Sequence, residues 1–280
     1  MKLKSEKISY DELSQSYIFD FENVKVGKVT SRMYPILLGK NNWNGIGYAV
    51  LDRCKLLAKE EIDPFYMVRG ALAEILVDEY IQHNYKRLGI EVVTKRFTPE
   101  SVNYDMFQKD AKFGGVVDIG ISKPEDKRAV VEVKSKNVKD LYRISKEQNL
   151  AIEEVLQGKF LATMSNVKKL IMAYVFFSDK QESDIKNMMN TTQNVNEIYK
   201  GLNMNFQDYE YFLKSYEIDR DEMLESMEIA YDNLHRIIQS KMIHKSFFND
   251  NEQSYLDTLL PKDIVENKNE IDFDPDDTPF

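Results

Sequence analysis

The stretch GGVVDIGISKPEDKRAVVEVKSK, residues 114–136, decides the fold of this chain. It contains two apolar segments, VVDIGI and AVVEVKS, which are typical of neighbouring β-strands, and the polar sequence SKPEDKR between them predicts a turn. Asp118, Glu132 and Lys134 interrupt these apolar segments. Burying a charge in an apolar sheet is costly unless the charge is paired or binds a metal ion, so we expect these three side chains to have a chemical role.

The alternation of side chains along a strand predicts how these charges are arranged. Glu132 and Lys134 share one face of the sheet, and Val131 and Val133 share the other. A short hairpin-like connection can bring Asp118 beside Glu132. Two neighbouring carboxylates repel each other, and a hard divalent cation with oxygen ligands, Mg²⁺ or Mn²⁺, relieves that repulsion. Lys134 could orient or help deprotonate a water molecule and offset the charge of a phosphate.

The segments around this stretch predict an α/β fold in which a mixed sheet is flanked by helices. Helix patterns cover IGYAVLDRCKLLAKEE and DPFYMVRGALAEILVDEYIQHNYKRLG, the second ending near Gly89, and EVVTKRFT is typical of a strand. After the two core strands, RISKEQNLAIEEVLQGKFLATM predicts a helix and KKLIMAYVFFS predicts a buried strand.

The sequence changes character after Ser178. The segment DRDEMLESMEIAYDNLHRIIQSKMI predicts an amphipathic helix, because its apolar residues recur at spacings of three and four. These residues are Met223, Met227, Tyr231, Leu234, Ile238 and Met242. The end of the chain is acidic and contains proline, which is typical of disorder. We therefore predict a core with N-terminal helical elements at residues 1–180, a helical region at 181–262 and a disordered acidic tail at 263–280.

Composition limits the possible classes of protein. The chain of 280 residues is 42% hydrophobic, and its one cysteine excludes a disulfide framework and an all-cysteine metal site. We find no apolar run near the roughly 20 residues of a membrane span and no secretory signal, so we expect a cytoplasmic protein without a membrane partner. The net charge of −9 is uneven: residues 1–180 hold 29 Lys and Arg against 25 Asp and Glu, whereas residues 181–280 hold 9 against 22. The mildly basic first part is compatible with nucleic-acid binding.

An Asp followed 14 residues later by Glu-x-Lys on paired strands resembles the motif of the PD-(D/E)xK nuclease superfamily. Two further elements resemble its RecB-like and YqaJ/lambda-exonuclease-like branches. The helix before the core strands carries Gly-x-x-x-Glu, formed by Gly70 and Glu74, and the helix after them carries Gln157. Leu161 stands where a tyrosine often follows this glutamine. The resemblance covers roughly residues 45–178.

The resemblance implies a restriction-endonuclease-like fold and metal-dependent hydrolysis of phosphodiester bonds. The ligands of Mg²⁺ or Mn²⁺ that it implies are Glu74, Asp118, Glu132 and the backbone carbonyl of Val133. Lys134 would position the attacking water, and Gln157 would support the site or the scissile strand. Basic residues that flank the site could follow DNA phosphates. These are Arg69, Lys95, Arg96, Lys136, Lys139 and Arg143.

The activity implied is that of a DNA exonuclease of recombination in a bacterial or phage-infected cell. Such an enzyme digests DNA ends and exposes single strands, and it could form a homo-oligomer or work with a single-strand annealing protein. Two alternatives remain open. One is an endonuclease of the same fold that acts on branched or single-stranded DNA, and the other is a catalytically idle module that binds DNA or recruits partners.

The C-terminal sequence IDFDPDDTPF resembles the acidic tip of bacterial single-stranded DNA-binding proteins. In that tip a terminal Pro-Phe inserts into a partner's pocket and the aspartates meet basic residues. The corresponding residues are Asp276, Asp277, Pro279 and Phe280. The resemblance implies recruitment of replication or recombination proteins. Alternatively, the tail occupies a basic groove of this chain and inhibits it.

Overall fold

The computed structural model describes residues 1–4, 8–19, 26–58, 63–122 and 128–260. The strands are β1 (Ser9–Asp11), β2 (Ser16–Ile18), β3 (Val29–Thr30), β4 (Val93–Arg96), β5 (Phe113–Gly114), β6 (Ile119–Ser122), β7 (Arg128–Asn137), β8 (Lys169–Phe177), β9 (Glu210–Glu217) and β10 (Met242–His244). The α-helices are α1 (Tyr34–Leu37), α2 (Ile46–Arg53), α3 (Pro64–Arg87), α4 (Leu141–Ser145), α5 (Ile152–Met164), α6 (Asp179–Met189), α7 (Val195–Gly201), α8 (Arg220–Ser240) and α9 (Asp250–Asp257). None of these helices is both long and apolar enough to cross a bilayer.

The central element is a five-stranded sheet with the order β4-β6-β7-β8-β9. Strands β7 and β8 are parallel, and the other neighbouring pairs are antiparallel. Helices α3, α6 and α7 pack against one face, where they form an apolar core with alternate residues of the strands. Helix α5 packs against the other face, with Gly158 close to the side chains of Leu170 and Met172. The predicted α/β class, a mixed sheet flanked by helices, is confirmed.

Helix α3 forms where its end signals stand in the sequence. The side chain of Asp63 accepts a hydrogen bond from the backbone N–H of Phe65 at 2.9 Å, and Pro64 occupies the first turn. The helix ends at Arg87, and Gly89 follows with a φ of +69°, a left-handed conformation that favours glycine. Leu72 and Leu76 are fully buried. The helix predicted to end near Gly89 is thus confirmed.

Strand β8 lies between β7 and β9 and is buried on both faces. All of its residues after Lys169 are buried, which confirms the buried strand predicted for KKLIMAYVFFS. This pattern is typical of a parallel strand covered by helices on both sides. Strand β9 pairs with it antiparallel, Leu213 opposite Ala173. The sheet therefore continues beyond residue 180, where we expected the core to end.

Three predicted helices end early or are interrupted where non-glycine residues adopt left-handed φ values. The helix predicted for IGYAVLDRCKLLAKEE ends at Arg53, and Lys55 has a φ of +58°. The helix predicted for RISKEQNLAIEEVLQGKFLATM is divided into α4 and α5, with Gln148 at +53° between them. Helix α8 confirms the amphipathic pattern, but Met242 lies in β10 because Lys241, at +57°, ends the helix.

The described chain divides into two compact units. The larger lies within residues 28–35 and 60–229 and contains the five-stranded sheet. The smaller lies within residues 1–27 and 36–59 and from residue 230 onward, and it contains a three-stranded sheet, β1-β2-β10. In the smaller unit Tyr17 is buried and its hydroxyl donates a hydrogen bond to Asp257 at 2.7 Å.

Candidate active site

Two strands of the larger unit bring the first carboxylates together. Ile119 of β6 is paired with Val131 of β7, so continuing this register by one residue places Asp118 opposite Glu132. The Oδ2 atom of Asp118 accepts a hydrogen bond from the backbone N–H of Val133 at 2.7 Å. This bond fixes the carboxyl group of Asp118 against the strand that carries Glu132.

Lys134 is held between β7 and α5. Its Nζ atom donates hydrogen bonds to Oε1 of Glu132 at 2.8 Å and to Oε1 of Gln157 at 3.1 Å. Glu132 and Lys134 therefore share the face that α5 covers, whereas Val131 and Val133 belong to the core beneath α3. The structure thus joins Glu132, Lys134 and Gln157 by side-chain hydrogen bonds and fixes Asp118 beside them through the backbone of Val133.

The electrostatics of this group are those of charges held close together in an apolar surrounding. Burial raises the pKa of Asp118 well above its usual value, and the charges of Glu132 and Glu74 raise it further. Burial lowers the pKa of Lys134, but the carboxylates of Glu132 and Asp118 outweigh this effect, so the pKa of Lys134 is raised and its ammonium stays charged.

Glu74 lies on α3, and the charges of Glu132 and Lys134 act on its carboxyl group. Burial raises its pKa to about 7, Arg96 opposes the increase, Glu132 adds to it and Lys134 opposes it. A carboxyl group with a pKa near neutrality is a common feature of functional sites. The structure therefore relates Glu74 to Glu132 and Lys134 through charge.

The donor atoms present fit a hard divalent cation. Glu132 is only 5% exposed, and its Oε2 atom is buried without a hydrogen-bond partner in the described chain. A buried carboxylate oxygen without a partner is unfavourable unless a cation or water meets it. Among the described residues, no three acidic, histidine or cysteine side chains form a ready-made ion site. A cation here would therefore need main-chain and water oxygens besides the carboxylates, which is common for Mg²⁺.

Two further residues extend this group and were not foreseen from the sequence. Glu154 accepts a hydrogen bond from Lys136 Nζ at 2.6 Å and another from the Tyr174 hydroxyl at 3.1 Å. Glu154 stands one turn before Gln157 on α5, and Tyr174 is paired with Lys134 across the parallel strands. The spacing of Glu154 from Gln157 was the available signal for its position on the same helix face.

Most of the basic residues expected to contact DNA are paired with carboxylates. The pairs are Arg69–Glu182, Arg96–Asp78, Lys136–Glu154, Lys139–Asp179 and Arg143–Asp140. The side chain of Arg69 is 12% exposed and also donates to Ser135, so it joins α3 to β7. Lys95 is exposed, belongs to no ion pair of the described chain, and its Nζ atom lies 5.0 Å from the centre of the Phe97 ring. The residues predicted for partner binding, Asp276, Asp277, Pro279 and Phe280, lie outside the described residues.

No protein-family model and no curated protein sequence matches this chain. Among solved structures, the chain is similar to an alkaline exonuclease from Laribacter hongkongensis, with 13% identity and a TM-score of 0.46 over 79% of this chain and 94% of that chain. The same exonuclease in complex with dAMP gives 14% identity and a TM-score of 0.46 over 83% and 93% of the two chains. A phage-related exonuclease from Haemophilus somnus 129PT gives 14% identity and a TM-score of 0.47 over 78% and 98%.

Proposed function

We propose that this protein is a metal-dependent DNA nuclease that acts as an exonuclease on DNA ends. The observation that carries the proposal is the group formed by Asp118, Glu132 and Lys134, in which two carboxylates and a charged lysine lie together at the junction of β6 and β7. Such a group combines ligands for a cation with a hydrogen-bond donor for water or phosphate. The Oε2 atom of Glu132 is buried and has no hydrogen-bond partner among the described residues, which supports the presence of a cation.

The residues that would hold Mg²⁺ or Mn²⁺ are Asp118, Glu132 and the carbonyl of Val133, with Glu74 acting directly or through water. When bound, a divalent cation supplies a positive charge that lowers the pKa of water and stabilises negative charge on the phosphate. Its charge would also offset the repulsion between carboxylates, which adds to the effect of burial in raising the pKa values of Asp118 and Glu74.

Lys134 acts in this proposal as a fixed cation. Because the neighbouring carboxylates raise its pKa, the Nζ atom keeps its proton and donates hydrogen bonds to the attacking water or to a phosphate oxygen. Gln157 fixes the direction of this ammonium by accepting a hydrogen bond from it. Lys136, Glu154 and Tyr174 support the arrangement, since Glu154 links β7 and β8 to α5 beside Lys134.

A panel of substrates tests the proposal. Linear duplex, nicked, branched and circular duplex DNA and linear and circular single strands are incubated with the full chain in Mg²⁺, in Mn²⁺ and in EDTA. We expect metal-dependent release of nucleotides from linear DNA, with covalently closed circles left intact. Cleavage of circular single strands or branched DNA would favour the endonuclease, and the absence of products from every substrate would favour an idle binding module.

The tail is the second part of the proposal. The Asp-Asp-Thr-Pro-Phe sequence at residues 276–280 supports recruitment of replication or recombination proteins that bind the tips of single-stranded DNA-binding proteins. Deletion of residues 271–280 separates the two possibilities for this segment. Loss of partner pull-down without a change in nuclease rate supports recruitment, whereas a higher basal rate supports autoinhibition instead.

A further inference from the structure

A groove of about 650 Å³ opens on the face of the sheet that carries Glu132. Its volume is within the range of small-molecule sites in proteins. The residues that line it include Lys95, Phe97, Met106, Phe107, Gly120 and Met164. None of these residues except Lys95 has been assigned a role above.

The pairing of the strands places this groove beside the candidate active site. Lys95 of β4 is paired with Gly120 of β6, and Gly120 with Val130 of β7. One position further along, the backbone N–H of Phe97 donates to the carbonyl of Asp118 at 3.0 Å. Directly opposed residues of neighbouring strands share a face. Phe97 therefore lies in one row with Asp118 and Glu132, about 5 Å and about 10 Å away at the usual strand spacing.

Gly120, in the wall of this groove, lies against the ring of Phe97. A Cβ atom at Gly120 would lie 3.4 Å from the ring of Phe97, so the ring covers the bare backbone of β6. Met106 also lines the groove, and its sulfur accepts a hydrogen bond from the backbone N–H of Val117 at 3.3 Å, which fixes the loop that carries Phe107. Phe97, Met106 and Phe107 are only partly buried, so apolar surface faces solvent between them.

The charge at the rim of the groove complements a nucleotide. Lys95 is exposed, without an ion pair in the described chain, and its Nζ atom lies 5.0 Å from the Phe97 ring centre. A cation beside an aromatic face is the combination that binds single-stranded nucleic acid, because the cation meets the phosphate and the ring stacks on a base. The five other basic residues considered above are paired with carboxylates, so Lys95 differs from them.

We propose that this groove is a nucleotide subsite, in which an unpaired base adjacent to the scissile phosphate stacks on Phe97 while its phosphate meets Lys95. The base is unpaired because an aromatic ring stacks on the face of a base that has left the duplex. The inference rests on the proposed nuclease function and narrows its substrate to a strand with unpaired nucleotides at the site.

Binding measured without metal tests this subsite independently of cleavage. The full chain in EDTA is titrated into a fluorescent thymidine oligonucleotide and into an abasic oligonucleotide of equal length, and anisotropy is recorded. We expect Phe97→Ala to weaken binding of the thymidine oligonucleotide about tenfold and of the abasic one less than about twofold, since stacking on an aromatic ring is lost only for the first. Phe97→Trp should retain affinity for both.

Matched variants control the experiment. Phe206→Ala removes a partly buried ring from the opposite face of the sheet and should leave both affinities unchanged. Lys95→Ala should weaken the binding of both oligonucleotides equally. The number of ions released on binding, measured from the salt dependence of the affinity, should fall by about one. Lys200→Ala, at an exposed lysine of α7, should change neither. Thermal unfolding confirms that each variant is folded.

Three results would overturn the subsite. Phe97→Ala could leave both affinities unchanged, or weaken both equally, and neither result is compatible with base stacking. A peptide of residues 271–280 could bind the groove and lose that binding in Phe97→Ala, which would assign the groove to the tail. If the wild type cleaves DNA and Phe97→Ala binds the thymidine oligonucleotide as tightly as the wild type, the proposed subsite is refuted while the proposed nuclease function is supported. If binding that depends on the base requires Phe97 but no cleavage occurs with any metal, the proposed nuclease function is refuted and the groove is a nucleotide-binding site without that activity.

Discussion

Replacing Glu74 by glutamine tests the electrostatic arrangement of the candidate site. Burial and the neighbouring carboxylate of Glu132 raise the pKa of Glu74 from 4.5 to about 7. Since the folded state binds the proton more tightly than the unfolded state, stability is lost as the pH rises from about 4.5 through about 7. The complete loss corresponds to roughly 3 kcal/mol, because each pKa unit is worth about 1.4 kcal/mol.

The measurable part of this effect lies between about pH 5.5 and about pH 8.5. Near pH 5.5, ionisation of Glu74 has lowered the free energy of unfolding by roughly 1.4 kcal/mol. The decrease reaches its full value of roughly 3 kcal/mol above the pKa of the folded state, so roughly 2 kcal/mol is lost over this interval. Glu74→Gln cannot ionise and does not lose this contribution. Urea unfolding in EDTA should therefore show the variant gaining roughly 2 kcal/mol over the wild type when the pH is raised across the interval.

A matched variant separates this effect from the general influence of pH on the fold. Glu91→Gln removes an exposed carboxylate that follows the same helix and is the control for the loss of a charge at the surface. If the difference in unfolding free energy between Glu74→Gln and the wild type stays constant within about 0.5 kcal/mol across this pH interval, the raised pKa of Glu74 is refuted.

Three further changes test other parts of the site. Adding MgCl₂ or MnCl₂ at pH 8 should raise the melting temperature of the wild type. At a metal concentration of 100 times the dissociation constant, the free energy of unfolding should increase by about 2.7 kcal/mol. EDTA should reverse this increase, and Glu132→Gln should not show it. Gln157→Ala should lower kcat about tenfold at nearly constant KM, because Nζ of Lys134 loses one acceptor; an effect on KM alone would contradict this role. Tyr174→Phe should cost about 1.5 kcal/mol in urea unfolding, since the buried hydroxyl bonds to Glu154; an unchanged free energy of unfolding would show that this bond is dispensable.

The candidate site could be predicted from the sequence where its residues lie on one strand, because side chains two residues apart point to the same face. Glu132 and Lys134 stand two residues apart, so alternation alone predicts that they share a face, and the structure places both beneath α5. The limits of α3 were predictable for the same reason, because Asp63, Pro64 and Gly89 determine them locally.

Contacts that depend on the pairing of distant strands could not be predicted. Phe97 lies beside Asp118 only because β4 pairs with β6 in one particular register, which no local pattern specifies. The contact between Tyr174 and Glu154 similarly requires the parallel pairing of β7 and β8. The division between α4 and α5 at Gln148 escaped prediction because this left-handed residue is neither glycine nor asparagine.

Cleavage by Lys134→Ala is the most direct test of the proposed nuclease. The rate of digestion of linear duplex DNA in Mg²⁺ is compared for the wild type, for Lys134→Ala and for Lys200→Ala, and DNA affinity is measured in EDTA. We expect Lys134→Ala to lose at least about 100-fold in rate while its DNA affinity stays within about twofold, because Lys134 orients water and stabilises charge at the reacting phosphate. Cleavage by Lys134→Ala at the rate of the wild type would contradict the assignment of Asp118, Glu132 and Lys134 as the site of phosphodiester hydrolysis.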